Sequence, residues 1–449
     1  MRTRLSAATL VLFAAATTLT AQWEQNTTAN GPTARRSAAM AFVPGTGGLV
    51  LFGGFAGAGL SNQTWLYDGA DWTLLAPATS PTGRAEMELV YDLVRNRAVM
   101  YGGLATNISV PPPSNETWEF DGSSWLQATP ATNPGPRYRH GLAFDSLRNR
   151  TVLYGGATSQ LLGSTTNQTW EYDGTNWTQR TPAQNPGPLD RPAMCYADGM
   201  ARTVLFGGNQ GSTLSDQTWL WDGTSWIQLV VTGPKPSARI GAKMVYDPVR
   251  DVCVLMGGQD ASGVLNDTWE FDGAFWTQQP TLPQAGRDHA MAFLTTTRQV
   301  VRFGGFVAAP NSVSAETWEF GARWRAYGTG CAGSLGVPAL TMPDAGRLGG
   351  AFTLDVANAP LLAVLALGLV QLTPPGFPLD GLGMLGCSGY LIPDLLINVP
   401  TSGGIATWTW TPVSGVVGDR IFAQALSLDP GINPAWLVGS NAVAATLGY

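Results

Sequence analysis

The chain has 449 residues, and 44% of them are apolar, which is enough to build a core and excludes disorder by composition. Only 12% are charged, about half the usual share of roughly 25%. The formal net charge is −6 and no basic run stands out, which argues against a nucleic-acid partner.

The chain opens with Arg2 and Arg4, then the apolar run "LSAATLVLFAAATTL", then the small residues of "LTAQ". This is the pattern of a secretory signal, and it predicts a signal peptide over 1–21 with cleavage after Ala21. A secreted or cell-surface location is therefore expected. The other long apolar run, "APLLAVLALGLVQL", has 14 residues and runs into Pro374 and Pro375. It is too short to span a bilayer and reads as buried strand, so no membrane span is expected in the mature chain.

Between these segments the sequence repeats. Thr-Trp pairs place Trp65, Trp118, Trp170, Trp219, Trp269 and Trp318 at steps of 49 to 53 residues. A Gly-Gly pair precedes each one, from Gly53-Gly54 to Gly304-Gly305. A second tryptophan follows each, at Trp72, Trp125, Trp177, Trp226, Trp276 and Trp324. Each unit carries four runs of strand length, as in "GLAFD", "TVLYGG", "TWEYDG" and "WTQ". Asp-Gly between the last two predicts a tight hairpin with positive φ at both turn positions. The paired glycines predict a place where a side chain would obstruct a neighbouring backbone. One such four-stranded sheet leaves its aromatic faces wet, whereas six packed around an axis bury them.

Gly-Gly, a variable loop and Trp-x-aromatic-Asp-Gly-x-x-Trp at this period resemble the kelch repeat, of the type seen in the galactose-oxidase central domain. The resemblance implies an all-β fold, a six-bladed kelch-type β-propeller over 22–327. Unit six departs by losing its Asp-Gly in "WEFGARW", and unit four has Leu189 where others have Arg. The segment "QWEQNTTANGP" resembles the end of unit three. It therefore offers a lone outer strand at Trp23, which competes with "RWRAY" of unit six to close the ring. Residues 328–449 have no such unit and read as a small β-sandwich-like domain. Its "YGTGCAGS" start resembles C-terminal domains of exported bacterial proteins with no settled function. Within it a Cys331–Cys387 disulfide is expected, while Cys195 and Cys253 read as buried small apolar residues.

Chemistry has few candidates. Arg35, Arg84, Arg137, Arg239 and Arg287 recur at first-strand starts, and His140 and His289 share one repeat position. The loops from Gly-Gly to Thr-Trp vary over 9, 13, 12, 9, 9 and 11 residues and lie on the face where first strands begin. These arginines and histidines are expected to ring the channel mouth there, where arginine could hold carboxylates. The alternative is that a recurring residue mainly ties strands together. Galactose oxidase binds copper through two His and two Tyr, but residues symmetric about a wide mouth sit too far apart to share an ion. No metal or cofactor is expected. The tail of a sialidase Asp-box lacks its glycine here, and the sequons at Asn62, Asn115, Asn167 and Asn266 follow the repeat. In this motif the Asn or Asp is expected to hydrogen-bond the loop backbone. No nucleophile elbow, P-loop or HExxH occurs, so no catalytic residue is assigned. The reading is a binding scaffold for a protein or carbohydrate ligand. The alternatives are a carbohydrate-active or oxidase-type enzyme and a structural envelope component.

Overall fold

The computed structural model describes residues 23–321 except 58, 106–112, 162–163 and 308–311, and beyond 323 the backbone of the strands given below. The signal segment 1–21 and the Cys331–Cys387 pairing fall outside the described residues.

Blade one runs Ala39–Val43, Gly48–Phe52, Thr64–Tyr67 and Trp72–Leu75, each strand antiparallel to the one before. Blades two to five repeat this order, with innermost strands Glu88–Asp92, Gly141–Asp145, Ala193–Ala197 and Lys243–Asp247. Blade six begins at Ala290–Leu294. The six innermost strands adjoin one another in a ring about the axis. Second strands such as Arg150–Tyr154 are covered on both sides by the adjacent blades, which is why Val152, Leu153 and Tyr154 form an unbroken buried run. Outer strands keep one buried tryptophan and expose the next two residues, as at Trp177, Thr178 and Gln179.

The Gly-Gly pairs act as the sequence suggests. The N–H of the second glycine donates to a carbonyl of the following blade: Gly54 to Arg84 (2.8 Å), Gly103 to Arg137 (2.9 Å), Gly305 to Arg35 (2.9 Å). A Cβ on Gly155 would come within 2.5 Å of the Leu189 carbonyl, so the first glycine is fixed by the same close approach. The Asp-Gly hairpins differ from expectation. Pairing of Tyr172 with Trp177 leaves a four-residue loop, in which Gly174 has φ 94° and Asp173 does not have positive φ. Asp173 instead accepts from the N–H groups of Thr175 and Asn176 with one carboxylate oxygen, both at 2.8 Å.

Ring closure rests on a tryptophan column. The indole N–H of each outer-strand tryptophan donates to the threonine of the preceding blade's Thr-Trp pair. Trp125 reaches Thr64 (3.0 Å), Trp177 reaches Thr117 (3.0 Å) and Trp72 of blade one reaches Thr317 of blade six (2.9 Å). Trp23 completes the set by donating to Thr268 of blade five at 2.8 Å. Glu24–Asn26 pairs with Thr317–Phe320, so the N-terminal strand is the outer strand of blade six. Trp324–Tyr327, which the sequence reading kept inside the propeller, pairs instead with Leu437–Thr446. The reason is competition: the edge of Thr317–Phe320 holds one partner, and Trp23 already fills the indole slot.

Trp324–Tyr327 is the edge of an eight-stranded antiparallel sheet. Its order continues through 437–446, 420–428, 362–368, 395–402, 405–410 and 352–357 to 339–344. The last strand, 339–344, also approaches 437–446. The run 362–368 is an inner strand of this sheet. Among the described residues no helix is long and apolar enough to cross a membrane.

Candidate functional site at the propeller axis

Two residues past each first-strand arginine position the chain turns into the left-handed region. Ser37, Glu86, Arg139, Arg191, Gly241 and Asp288 have φ between 52° and 66°, one in each blade. Five of these are not glycine, and each costs about 1 kcal/mol or more in that conformation. The strain is offset by backbone hydrogen bonds that run around the axis from Gly241 through Asp288, Ser37, Glu86 and Arg139 to Arg191. Glu86 N–H donates to Ser37 (3.0 Å), Arg139 to Glu86 (2.9 Å), Arg191 to Arg139 (2.7 Å), and Asp288 to Gly241 (2.8 Å). Ser37 N–H closes on the Asp288 carbonyl at 2.6 Å.

This ring narrows the channel on the variable-loop face to a polar pocket of about 30 Å³, lined by Ser37, Glu86, Arg139, His140, Arg191 and Asp288 among others. Its charges are mostly paired. Arg139 grips the Glu86 carboxylate with two nitrogens and lies 3.8 Å from Asp190. Arg287 pairs with Asp288, and Arg36 lies 3.9 Å from Glu86. Three of these guanidiniums also stack on loop aromatics: Arg36 on Phe55 (4.4 Å), Arg139 on Tyr138 (4.8 Å) and Arg287 on Phe306 (4.5 Å). Beneath the ring Lys243 of blade five reaches across the axis to Glu88 of blade two. Arg191 is the exception: it is half-buried and its guanidinium has no hydrogen bond or ion pair among the described residues. Burial raises the Asp190 carboxyl above its ordinary value against the opposing pull of Arg191 and Arg139.

The arginines singled out in the sequence sit elsewhere. Arg35, Arg84, Arg137 and Arg239 are at most 2% exposed and face inward. Each donates from Nη1 to the carbonyl of the first glycine of its own blade: Gly53 (3.1 Å), Gly102 (3.2 Å), Gly155 (3.2 Å) and Gly257 (2.9 Å). Each also reaches the residue before Thr-Trp, namely Gln63, Glu116, Gln168 or Asp267. That same residue accepts from the Thr-Trp indole, as Gln168 does from Trp170 at 3.1 Å. The bridging position is thus the middle of Asn-x-Thr-Trp, and Arg, x and Trp form one internal clasp. The Asn does contact loop backbone in unit five, where Asn266 donates to the Leu282 carbonyl at 2.9 Å. These four arginines do not ring the mouth: their donors are consumed by their own blades. Burial lowers Arg35 and Arg137 to about 10.

Blade six solves the clasp differently. The equivalent position is Gly286, whose N–H and carbonyl keep the repeat pattern, while Arg302 on the second strand fills the space beside it. Arg302 donates to the carbonyls of Gln284 (3.1 Å) and Gly304 (3.4 Å). Arg287 is therefore one position later than its supposed equivalents, and it is the member of the set that does reach the loop face.

His140 and His289 are wholly buried, and neither ring nitrogen of either has a hydrogen-bond partner. His140 meets Tyr101 edge-on with centroids 5.9 Å apart. Burial first, then Arg137 and Lys243, push His140 down to about 3. His289 is held well below the ordinary value by burial, with Arg302 and Lys243 adding to it. Both are neutral at physiological pH. His140 alone touches the axial pocket. Among the described residues no three His, Cys, Asp or Glu side chains converge as metal ligands. Sequence reasoning missed Glu86, Arg139, Arg191 and Asp288. Charge recurring at one repeat position in four of six units of a charge-poor chain was the available signal.

Such a ring of four-stranded sheets, joined by glycine pairs and closed by the N-terminal strand, defines a kelch-type β-propeller. Residues 90–305 match the family model described as the KLHDC2/KLHL20/DRC7 Kelch-repeats domain. The solved structure of YjhT is similar in fold, with a TM-score of 0.51 over 66% of this chain and 96% of that one, at 13% identity. No curated protein matches the chain.

Proposed function

We propose that this protein is an exported binding scaffold that presents its variable loops and axial ring to a carboxylate-bearing protein or glycan. The observation that carries this reading is Arg191. It is a half-buried guanidinium that feels the Asp190 carboxylate but has no hydrogen bond or close ion pair among the described residues, at the rim of a polar pocket where every other arginine is already paired. A planar guanidinium held beside a pocket and left unpaired is suited to bidentate contact with a carboxylate. Kelch repeats elsewhere on rigid propellers support binding rather than turnover, and fold alone does not name the ligand.

The test is an array of acidic glycans and acidic peptides probed with the secreted chain, followed by titration of any hit. Arg191→Ala should weaken binding at least tenfold, about 1.4 kcal/mol. Unchanged binding for both Arg191→Ala and Arg36→Ala would remove the axial ring from the site. Turnover of a bound glycan in the same assay would instead select the enzyme alternative. Export is tested separately, by whether secreted protein begins at Gln22.

A further inference from the structure

The channel does not end at the ring. Beyond the Lys243–Glu88 pair it widens into a cavity of about 230 Å³ toward the opposite face, that of the first-to-second-strand turns. The fourth residue of each innermost strand is aromatic: Phe42, Tyr91, Phe144, Tyr196, Tyr246 and Phe293. The second residue is aliphatic or a thioether: Met40, Leu89, Leu142, Met194, Met244 and Met291. Period two puts both positions on one side of each strand. All of them but Phe42 line the cavity. Two tyrosine hydroxyls turn outward to the turns, Tyr246 donating to Asp251 (2.6 Å) and Tyr91 to Asn96 (3.2 Å), so the rings form the mouth.

The wall is not purely apolar. Each innermost strand is the terminal strand of its sheet, so one backbone edge faces the axis without a neighbouring strand. A hydrocarbon filling this space would leave those N–H and C=O groups without water or partner, at a cost of about 1–3 kcal/mol for each group stranded. A freely polar solute would forfeit the thioethers and rings. What fits is a flat molecule with apolar faces and a hydrogen-bonding rim. Thioether sulfur and aromatic side chains favour an aromatic over an aliphatic ring. Size narrows it further. A cavity of about 150 Å³ holds benzene, and drug-sized sites start near 300 Å³, so this one suits one or two fused rings.

We infer that the axial cavity is a binding site for a small planar heteroaromatic molecule, entered from the turn face and separate from the variable-loop face. The ligand's faces lie against the methionines and the aromatic mouth, and its ring nitrogen meets strand edges or the Lys243–Glu88 floor.

The experiment is calorimetric titration of the full mature chain with indole, benzene and methyl glucoside. Indole should bind saturably at one site with a dissociation constant of about 1 mM or tighter, and benzene at least tenfold more weakly. Val90 and Val245 line the cavity and are half-buried, so Val90→Phe and Val245→Phe each add bulk at its wall. Each should weaken indole at least tenfold while leaving the circular dichroism native. Hydrogen exchange should slow in 39–43 and 243–247 when indole is added to the unsubstituted chain, which keeps the test alive if a variant misfolds. Absence of saturable indole binding, binding indifferent to both phenylalanines, or tighter binding of methyl glucoside would overturn the inference.

Discussion

Removing the Trp23 side chain tests how the propeller is closed. Trp23 is 6% exposed and stacks on Phe320 with centroids 5.1 Å apart. It packs against Val254, Met256, Leu282 and Met291, and its indole N–H is bonded to Thr268. Truncating a buried tryptophan to alanine costs about 3–5 kcal/mol. In a domain of roughly 300 residues each kcal/mol shifts Tm by about 2 °C, so Trp23→Ala should lower the propeller melting temperature by roughly 6–10 °C. Trp23→Phe keeps most of the packing and loses the hydrogen bond, at about 1–2 kcal/mol. Calorimetry gives the melting temperature, and native-state hydrogen exchange locates the effect. Amides of 317–320 should lose protection first, because that strand lies beside the lost one, and those of 299–303, one strand further in, should follow. Trp324→Ala is the control, since Trp324–Tyr327 pairs with 437–446. If Trp324→Ala exposes 317–320 as much as Trp23→Ala does, the closure described above is wrong.

Other outcomes follow from the interior. Arg137→Ala should destabilise the propeller by about 3 kcal/mol or more in chemical unfolding, because the Gly155 and Pro134 carbonyls and Gln168 lose their donor; Arg137→Lys should rescue little, since an ammonium cannot reproduce the fork. Gly286→Arg should be destabilising alone, because Arg302 already occupies the space beside Gly286; combined with Arg302→Leu it restores the arrangement of the other blades, and a double-mutant cycle should show favourable coupling of at least about 1 kcal/mol. The buried histidines make stability fall with acid. The folded His140 pKa of about 3 lies below its unfolded value near 6.5, so below pH 6.5 the unfolded chain binds a proton that the folded chain refuses. By pH 5 this removes about 2 kcal/mol, His289 acts in the same direction, and His140→Phe should flatten the Tm profile between pH 7 and 5.

Repetition made the fold legible. Six coincident Gly-Gly, Thr-Trp and Asp-Gly marks specify a local sheet each, and a local sheet with two wet faces has few ways to be satisfied. The site was less legible because the same repetition hides direction. Arg137 and Arg139 are two residues apart, yet the first is sealed in a clasp and the second stacks on Tyr138 at the axial pocket. Which of them faces the mouth depends on the left-handed turn at Arg139, and no propensity rule assigns positive φ to arginine. Gly286 and Arg302 show a related limit: one function moved sixteen residues along the chain to another strand, which alignment by spacing reads as a loss.

The pairing of Gln25 with Trp318 also sets a schedule. The first strand of the propeller to be made is the last to find its place, since its partner strand is nearly three hundred residues away and must be complete before pairing begins. Five blades can form as local hairpins while the chain emerges, and the sixth waits for both ends. Contacts of such separation are entropically late and slow to form. A chain that crosses a membrane unfolded, N-terminus first, would therefore carry its closing strand through at the outset and hold an unpaired edge until transit of blade six is finished.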